Sequence, residues 1–265
     1  MRRAPLGLAG LLLTATALLF LFFLILSGVT NSTPLNKTYF LQADTSGITG
    51  ARDVTRWTYF YMCGEENANC GKARPAPPFG KAWDANAQNV PQELMGSHGG
   101  DTTSSYYFYM WRFGWVFFLI ALFFTTLAFL SSFLACCGRI GSLLASLAAL
   151  TALIFWTIAA VLMTPFINKN ASVTFVKARD VFRRNGRDAH IGTYAFAWTW
   201  AGWTALLLAT LLFCAGIRKK KENRVRAADD GLAYGGATYD AAPRHKRWGR
   251  KSKARDSRRV KNEYN

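Results

Sequence analysis

Five cysteines are the groups best suited to covalent chemistry, and their positions divide them. Cys63 and Cys70, with six residues between them, can close a short disulfide loop. Zinc is the other chemistry open to such a pair, but no histidine stands near it and His98 is isolated. Cys136 and Cys137 end a long apolar run, where thiols either accept palmitate or remain free structural cysteines; Cys214 is a weaker candidate of the same kind. Three N-x-Ser/Thr sequons start at Asn31, Asn36 and Asn170, each a candidate glycosylation acceptor if its side of the chain meets the secretory lumen.

The charged groups are just as unevenly placed. Of a formal net charge of +17, residues 218–265 carry 16 Lys and Arg against 6 Asp and Glu, a net +10, whereas residues 29–112 have 7 of each. Arg218, Lys219, Lys220, Lys221, Arg224 and Arg226 directly follow an apolar run and are dense enough to hold anionic inner-leaflet headgroups, at about 1 kcal/mol per charge near the surface. A stop-transfer signal accounts equally well for the first four. A second basic block, 244–261, lies beyond a Gly, Ala and Asp linker and suits a disordered arm that returns to the membrane or meets a partner. Nucleic acid is not the expected partner of charge placed in this way.

Catalytic patterns are missing. The sequence has no Gly-rich phosphate loop, no G-x-S-x-G elbow, no H-E-x-x-H and no paired carboxylates on a helix face; Glu65-Glu66 reads as solvated surface. Neither an enzyme, nor a cofactor, nor a bound metal is expected.

The elements that position these groups are set by four apolar stretches, 6–28, 113–137, 140–167 and 192–217. Each exceeds the roughly 18 to 20 residues that a helix needs to cross a bilayer. The first resembles a signal peptide in its Met1-Arg2-Arg3 start, but its apolar run outlasts the roughly 7 to 15 residues of a signal h-region, so an anchor is expected. The positive-inside bias then puts residues 1–5, the 138–139 turn with Arg139, and the 218–265 tail in the cytoplasm. Loops 29–112 and 168–191 fall outside, together with all three sequons and the Cys63, Cys70 pair. Lys169, Lys177, Arg179, Arg183, Arg184 and Arg187 in the second loop run against this bias, with only Asp180 and Asp188 to offset them.

The long loop predicts a small folded domain. Tyr39–Gln42 and Arg56–Cys63 are strand-like runs divided by turn residues, and a Cys63–Cys70 bridge of about 2 to 4 kcal/mol would make up for a small core. Tyr106, Tyr107, Phe108, Tyr109, Trp111 and Trp115 suggest an interfacial belt, ranked above a carbohydrate platform. In the second loop Phe175, Ala178 and Phe182 recur at helical spacing, and Asn185-Gly186 supplies a stop.

Within the four spans there is no Asp, Glu, Lys, His, Asn or Gln, which disfavours transport. Ala197, Ala201, Ala205 and Ala209 repeat every four residues, as do Ser142 and Ser146, a spacing that lets helices approach closely, within one bundle or between copies in a homo-oligomer. The fold class expected is mainly α and membrane-embedded: a four-helix transmembrane bundle with a small disulfide-bonded extracellular β-containing domain.

Trp57 ahead of Cys63-Gly64 and Cys70, the Pro78-Phe79 that follows, and Ala178-Arg179-Asp180-x-Phe182 leading to Gly186, Ala189 and Gly192 give a layout that resembles the fungal Sur-seven/PalI tetraspan family, distant relatives of the claudins. The cysteine spacing is shorter than in typical claudins and the G-L-W signature is absent, so junction formation is not implied. The resemblance implies residence in eisosomes, plasma-membrane furrow domains where family members help organise membrane and cell wall beside cortical scaffold proteins. For the PalI branch it implies an accessory role in ambient-pH sensing, helping a membrane receptor reach the surface.

Overall fold

The computed structural model describes residues 3–135, 139–163 and 174–217. Helix α1 spans Arg3–Ile25, α2 Ser105–Ala135, α3 Arg139–Met163, α4 Thr174–Arg184 and α5 Thr193–Ile217. All but α4 are long and apolar enough to cross a membrane. α2 packs on α3, α3 on α5, α5 on α1 and α1 on α2, which closes a four-helix ring. Large side chains such as Leu8, Leu12, Phe123, Leu130, Ile154 and Leu211 stay exposed, while the interior combines many alanines, among them Ala17, Ala121, Ala128, Ala145, Ala149, Ala152 and Ala209, with a few large side chains such as Phe118, Trp156 and Phe213. Lipid makes the outward apolar face favourable, and small interior residues let the helix axes approach.

Four threonine hydroxyls inside the bundle are satisfied on their own helices, whereas Ser142 of α3 donates to the Ala135 carbonyl at the end of α2 at 3.4 Å. Thr14 donates to the Gly10 carbonyl at 2.7 Å, Thr125 to Ala121 at 2.7 Å, Thr199 to Ala195 at 2.8 Å and Thr210 to Leu206 at 2.8 Å. Each threonine oxygen is thus committed to the helix that carries it.

The alanine register differs from expectation. On α5 the buried positions are Ala195, Thr199, Gly202, Ala205, Leu206, Ala209, Thr210 and Phe213, whereas Ala197 and Ala201 are exposed. A four-residue step overshoots the 3.6-residue turn by about 40°, so a long row of such steps winds off the contact face. A close contact falls instead at Gly202, where an added Cβ would lie 2.6 Å from the Trp156 ring. Ser142 and Ser146 are buried, as their spacing suggests.

The remaining strands, β1 Leu41–Asp44, β2 Val54–Trp57, β3 Met62–Cys63 and β4 Ala189–Ile191, form one antiparallel sheet in the order β3-β2-β1-β4. Side chains alternate, so Leu41, Ala43, Thr55 and Trp57 face the core. The run predicted as one strand from Arg56 to Cys63 is in fact a hairpin. The Thr58 amide donates to the Tyr61 carbonyl at 2.9 Å and turns the chain between β2 and β3. β4 comes from the second loop, so both loops build a single sheet domain.

Candidate functional site

The family-motif side chains converge between the sheet and the helices. Trp57, on the inner face of β2, stacks on Phe79 with ring centroids 4.7 Å apart and planes 3° apart, and its indole N–H donates to the Phe79 carbonyl at 3.0 Å. Phe182 of α4 closes on the same indole at 6.0 Å. Phe79 also stacks on Tyr107 at 5.5 Å, while Phe175 of α4 stacks on Phe40 at 5.1 Å and meets Trp111 edge-on at 5.0 Å. Aromatic pairs of this kind contribute about 0.5 to 1.5 kcal/mol each beyond the area they bury. The cluster therefore welds the sheet to α4 and to the first turns of α2.

That weld takes two of the six aromatics expected in an interfacial belt, Tyr107 and Trp111. α2 begins at Ser105, well ahead of the predicted start at 113. A helix rotates about 100° per residue, so its adjacent aromatics part company: Tyr107 and Trp111 are buried beneath the sheet, and Tyr106 and Tyr109 stay exposed. Tyr59 stacks on Trp115 at 5.4 Å and donates its hydroxyl to the Trp115 carbonyl at 2.6 Å. Trp198 stacks on Phe20 at 5.0 Å and donates to the Thr38 hydroxyl at 3.3 Å.

Cys63 and Cys70 are joined as a disulfide. Cys63 sits opposite Arg56 in the ladder and so on the outer face of the sheet, the face from which Arg56 donates to the Asn36 carbonyl at 3.2 Å. Asn67, inside the closed loop, is buried and donates to the carbonyls of Leu35 at 2.8 Å and Thr38 at 2.9 Å. Gly64 starts the loop, its N–H bonded to the Ala68 carbonyl at 2.8 Å. Of the sequons, Asn31 is exposed, while Asn36 has a buried amide oxygen and the Thr38 hydroxyl donates to the Pro34 carbonyl at 2.9 Å. Asn170, Cys136, Cys137 and the basic cluster Arg218, Lys219, Lys220, Lys221, Arg224 and Arg226 lie outside the described residues.

The cations of the second loop are put to use by the fold. Arg179 pairs with Asp180 at 2.6 Å, and Arg184 with Glu93 at 3.0 Å. Arg183 donates to the Ala189 carbonyl at 2.8 Å. Arg187 reaches across to the first loop, donating to the carbonyls of Ser46 at 2.7 Å and Asn89 at 3.2 Å. Lys177 lies 4.2 Å over the Tyr106 ring. At the end of α4, Gly186 has φ +73°, and the Gly186 and Arg187 amides bond back to the carbonyls of Arg183 and Phe182, both at 3.1 Å, a Schellman stop that favours glycine. At Gly192, an added Cβ would overlap the Tyr39 carbonyl.

Four apolar helices, a disulfide-tied sheet shared by two loops and a motif-lined aromatic weld are now in place. A family model described as the SUR7/PalI family matches residues 6–212. The chain belongs to the SUR7/PalI family. It is 38% identical over 185 residues to the SUR7 family protein FMP45 of Saccharomyces cerevisiae, an alignment that covers 68% of this chain and 55% of that one. It is 35% identical over 224 residues to Protein SUR7 of Candida albicans, covering 80% and 76%. A plasma membrane protein of S. cerevisiae, YNL194C, is 33% identical over 209 residues, covering 76% and 64%. No solved structure matches.

Several residues that hold this SUR7/PalI domain together escaped the sequence reading. Phe40 and Asn67 stand outside any motif, and Tyr59 was just one aromatic in a presumed strand. Arg187 was counted only as charge. The usable signal is the density of arginine in one short loop, because an arginine fork is suited to carbonyls and acids.

Proposed function

We propose that this SUR7/PalI protein is a non-enzymatic organiser of eisosome-type plasma-membrane compartments, linking the membrane domain to the cell wall outside and to a cortical scaffold inside. Family membership over residues 6–212 carries the reading. Two of the relatives it resembles bear the name SUR7 and another is named a plasma membrane protein, which favours this branch over a PalI-type accessory of pH sensing.

The orientation that goes with it has both termini in the cytoplasm and the sheet domain outside. The Cys63–Cys70 disulfide supports this, because disulfides persist in oxidising compartments. The basic residues from Arg218 to Arg226 would then face anionic inner-leaflet lipids. Commitment of the buried Thr14, Thr125, Thr199 and Thr210 hydroxyls to their own helices supports a packing role for the bundle over a conducting one.

A fluorescently tagged chain, expressed in a yeast lacking its SUR7 relatives, tests the proposal. The expected result is immobile cortical patches that are lost when Arg218, Lys219, Lys220 and Lys221 are all changed to Ala. Diffuse, mobile fluorescence from the unaltered chain would overturn it.

A further inference from the structure

A cleft of about 260 Å³ opens beside the edge strand β3, and four cations line it: Arg52, Lys72, Arg74 and Lys81. None of the four forms an ion pair among the described residues, in contrast to Arg179 and Arg184. Arg52 is held in place by donation from Nη1 to the Met62 carbonyl at 2.8 Å, which leaves its other N–H groups for a ligand. No carboxylate is among the residues lining the cleft, and Asp84 lies against one of them, Gly50. Four like charges around one concavity repel each other, and an arriving anion relieves that repulsion. Phe60 and Met62 give the same cleft an apolar wall.

We infer that this cleft binds a small sugar phosphate, either free or at the end of a glycan. The arginine forks and lysine ammonium groups take the phosphate through charge-assisted hydrogen bonds. The Phe60 and Met62 wall takes the C–H face of the sugar. Its volume is just below the roughly 300 to 1,000 Å³ of pockets for drug-sized ligands, which suits one phosphorylated hexose better than a polymer stretch. The inference needs only a folded sheet domain, and it stands or falls separately from the compartment proposal.

Calorimetric titration of the full-length protein in detergent tests it, with mannose 6-phosphate, mannose and inorganic phosphate as probes. Binding of mannose 6-phosphate is expected to exceed that of inorganic phosphate and to be absent for mannose. It should weaken between about 50 mM and about 300 mM NaCl, as screening requires. The Lys72→Ala/Arg74→Ala double variant, checked for an intact disulfide and an unchanged melting temperature, should lose about tenfold or more in affinity. If that variant fails to fold, Lys81→Gln replaces it and should give a loss in the same direction. Absent binding, equal binding of mannose, or affinity untouched by either variant would each overturn the inference.

Discussion

The Tyr59 hydroxyl donates to the carbonyl of Trp115 at 2.6 Å, a side chain of the sheet domain reaching the backbone of a membrane helix. Tyr59 is fully buried, and its ring also stacks on Trp115. Removing the hydroxyl as Tyr59→Phe keeps the stack and forfeits the bond, an expected loss of about 1 kcal/mol in thermal unfolding followed in detergent.

The same residue sets an alkaline limit. Burial pushes the Tyr59 phenol above its ordinary value of about 10. Since the folded state raises this pKa, its stabilising effect is complete below about pH 10 and is lost as pH climbs further. The melting temperature of the unaltered protein should therefore fall more steeply above about pH 10 than that of Tyr59→Phe. Parallel curves for the two proteins would contradict the assignment.

Gly192 joins β4 to α5 and donates its N–H to the Phe40 carbonyl at 3.1 Å. Because a Cβ there would overlap the Tyr39 carbonyl, Gly192→Ala should cost about 1 to 3 kcal/mol, and the backbone would have to shift to admit it. Gly186→Ala, where nothing crowds the site and only the positive φ objects, should cost about 1 kcal/mol. Thermal melts of the two variants side by side read the difference.

Cys63→Ser should destabilise the sheet domain by about 2.5 kcal/mol through the chain entropy of its short loop. Protease sensitivity of residues 29–104 is the direct readout. In the unaltered protein, a maleimide reagent should reach these two thiols only after reduction.

Within the bundle, Ala205→Leu and Ala201→Leu should part company. Ala205 is buried, and the larger side chain should cost about 1 to 3 kcal/mol; exposed Ala201 should accept leucine with little change in unfolding in detergent.

The large elements were legible because their signals are local. An apolar run long enough to cross lipid declares itself without reference to the rest of the chain, and Phe175, Ala178 and Phe182 mark α4 by spacing alone. Strand β4 declares nothing. Ala189, His190 and Ile191 are too few to show alternation, and their strand exists through pairing with β1 far away in the sequence. The aromatic weld was hidden for a related reason: the composition around Trp111 shows what the rings are, but which of them turn inward depends on a helix start that packing with the sheet decides.

The place of β4 also bears on biogenesis. Domains fold as the ribosome delivers them, N-terminal parts first, yet the edge of β1 stays open until residues 189–191 have left the tunnel, after the segments of α2, α3 and α4 have been made. A truncated translation product thus carries an unpaired strand edge and a missing aromatic partner, a signature that chaperones are suited to detect.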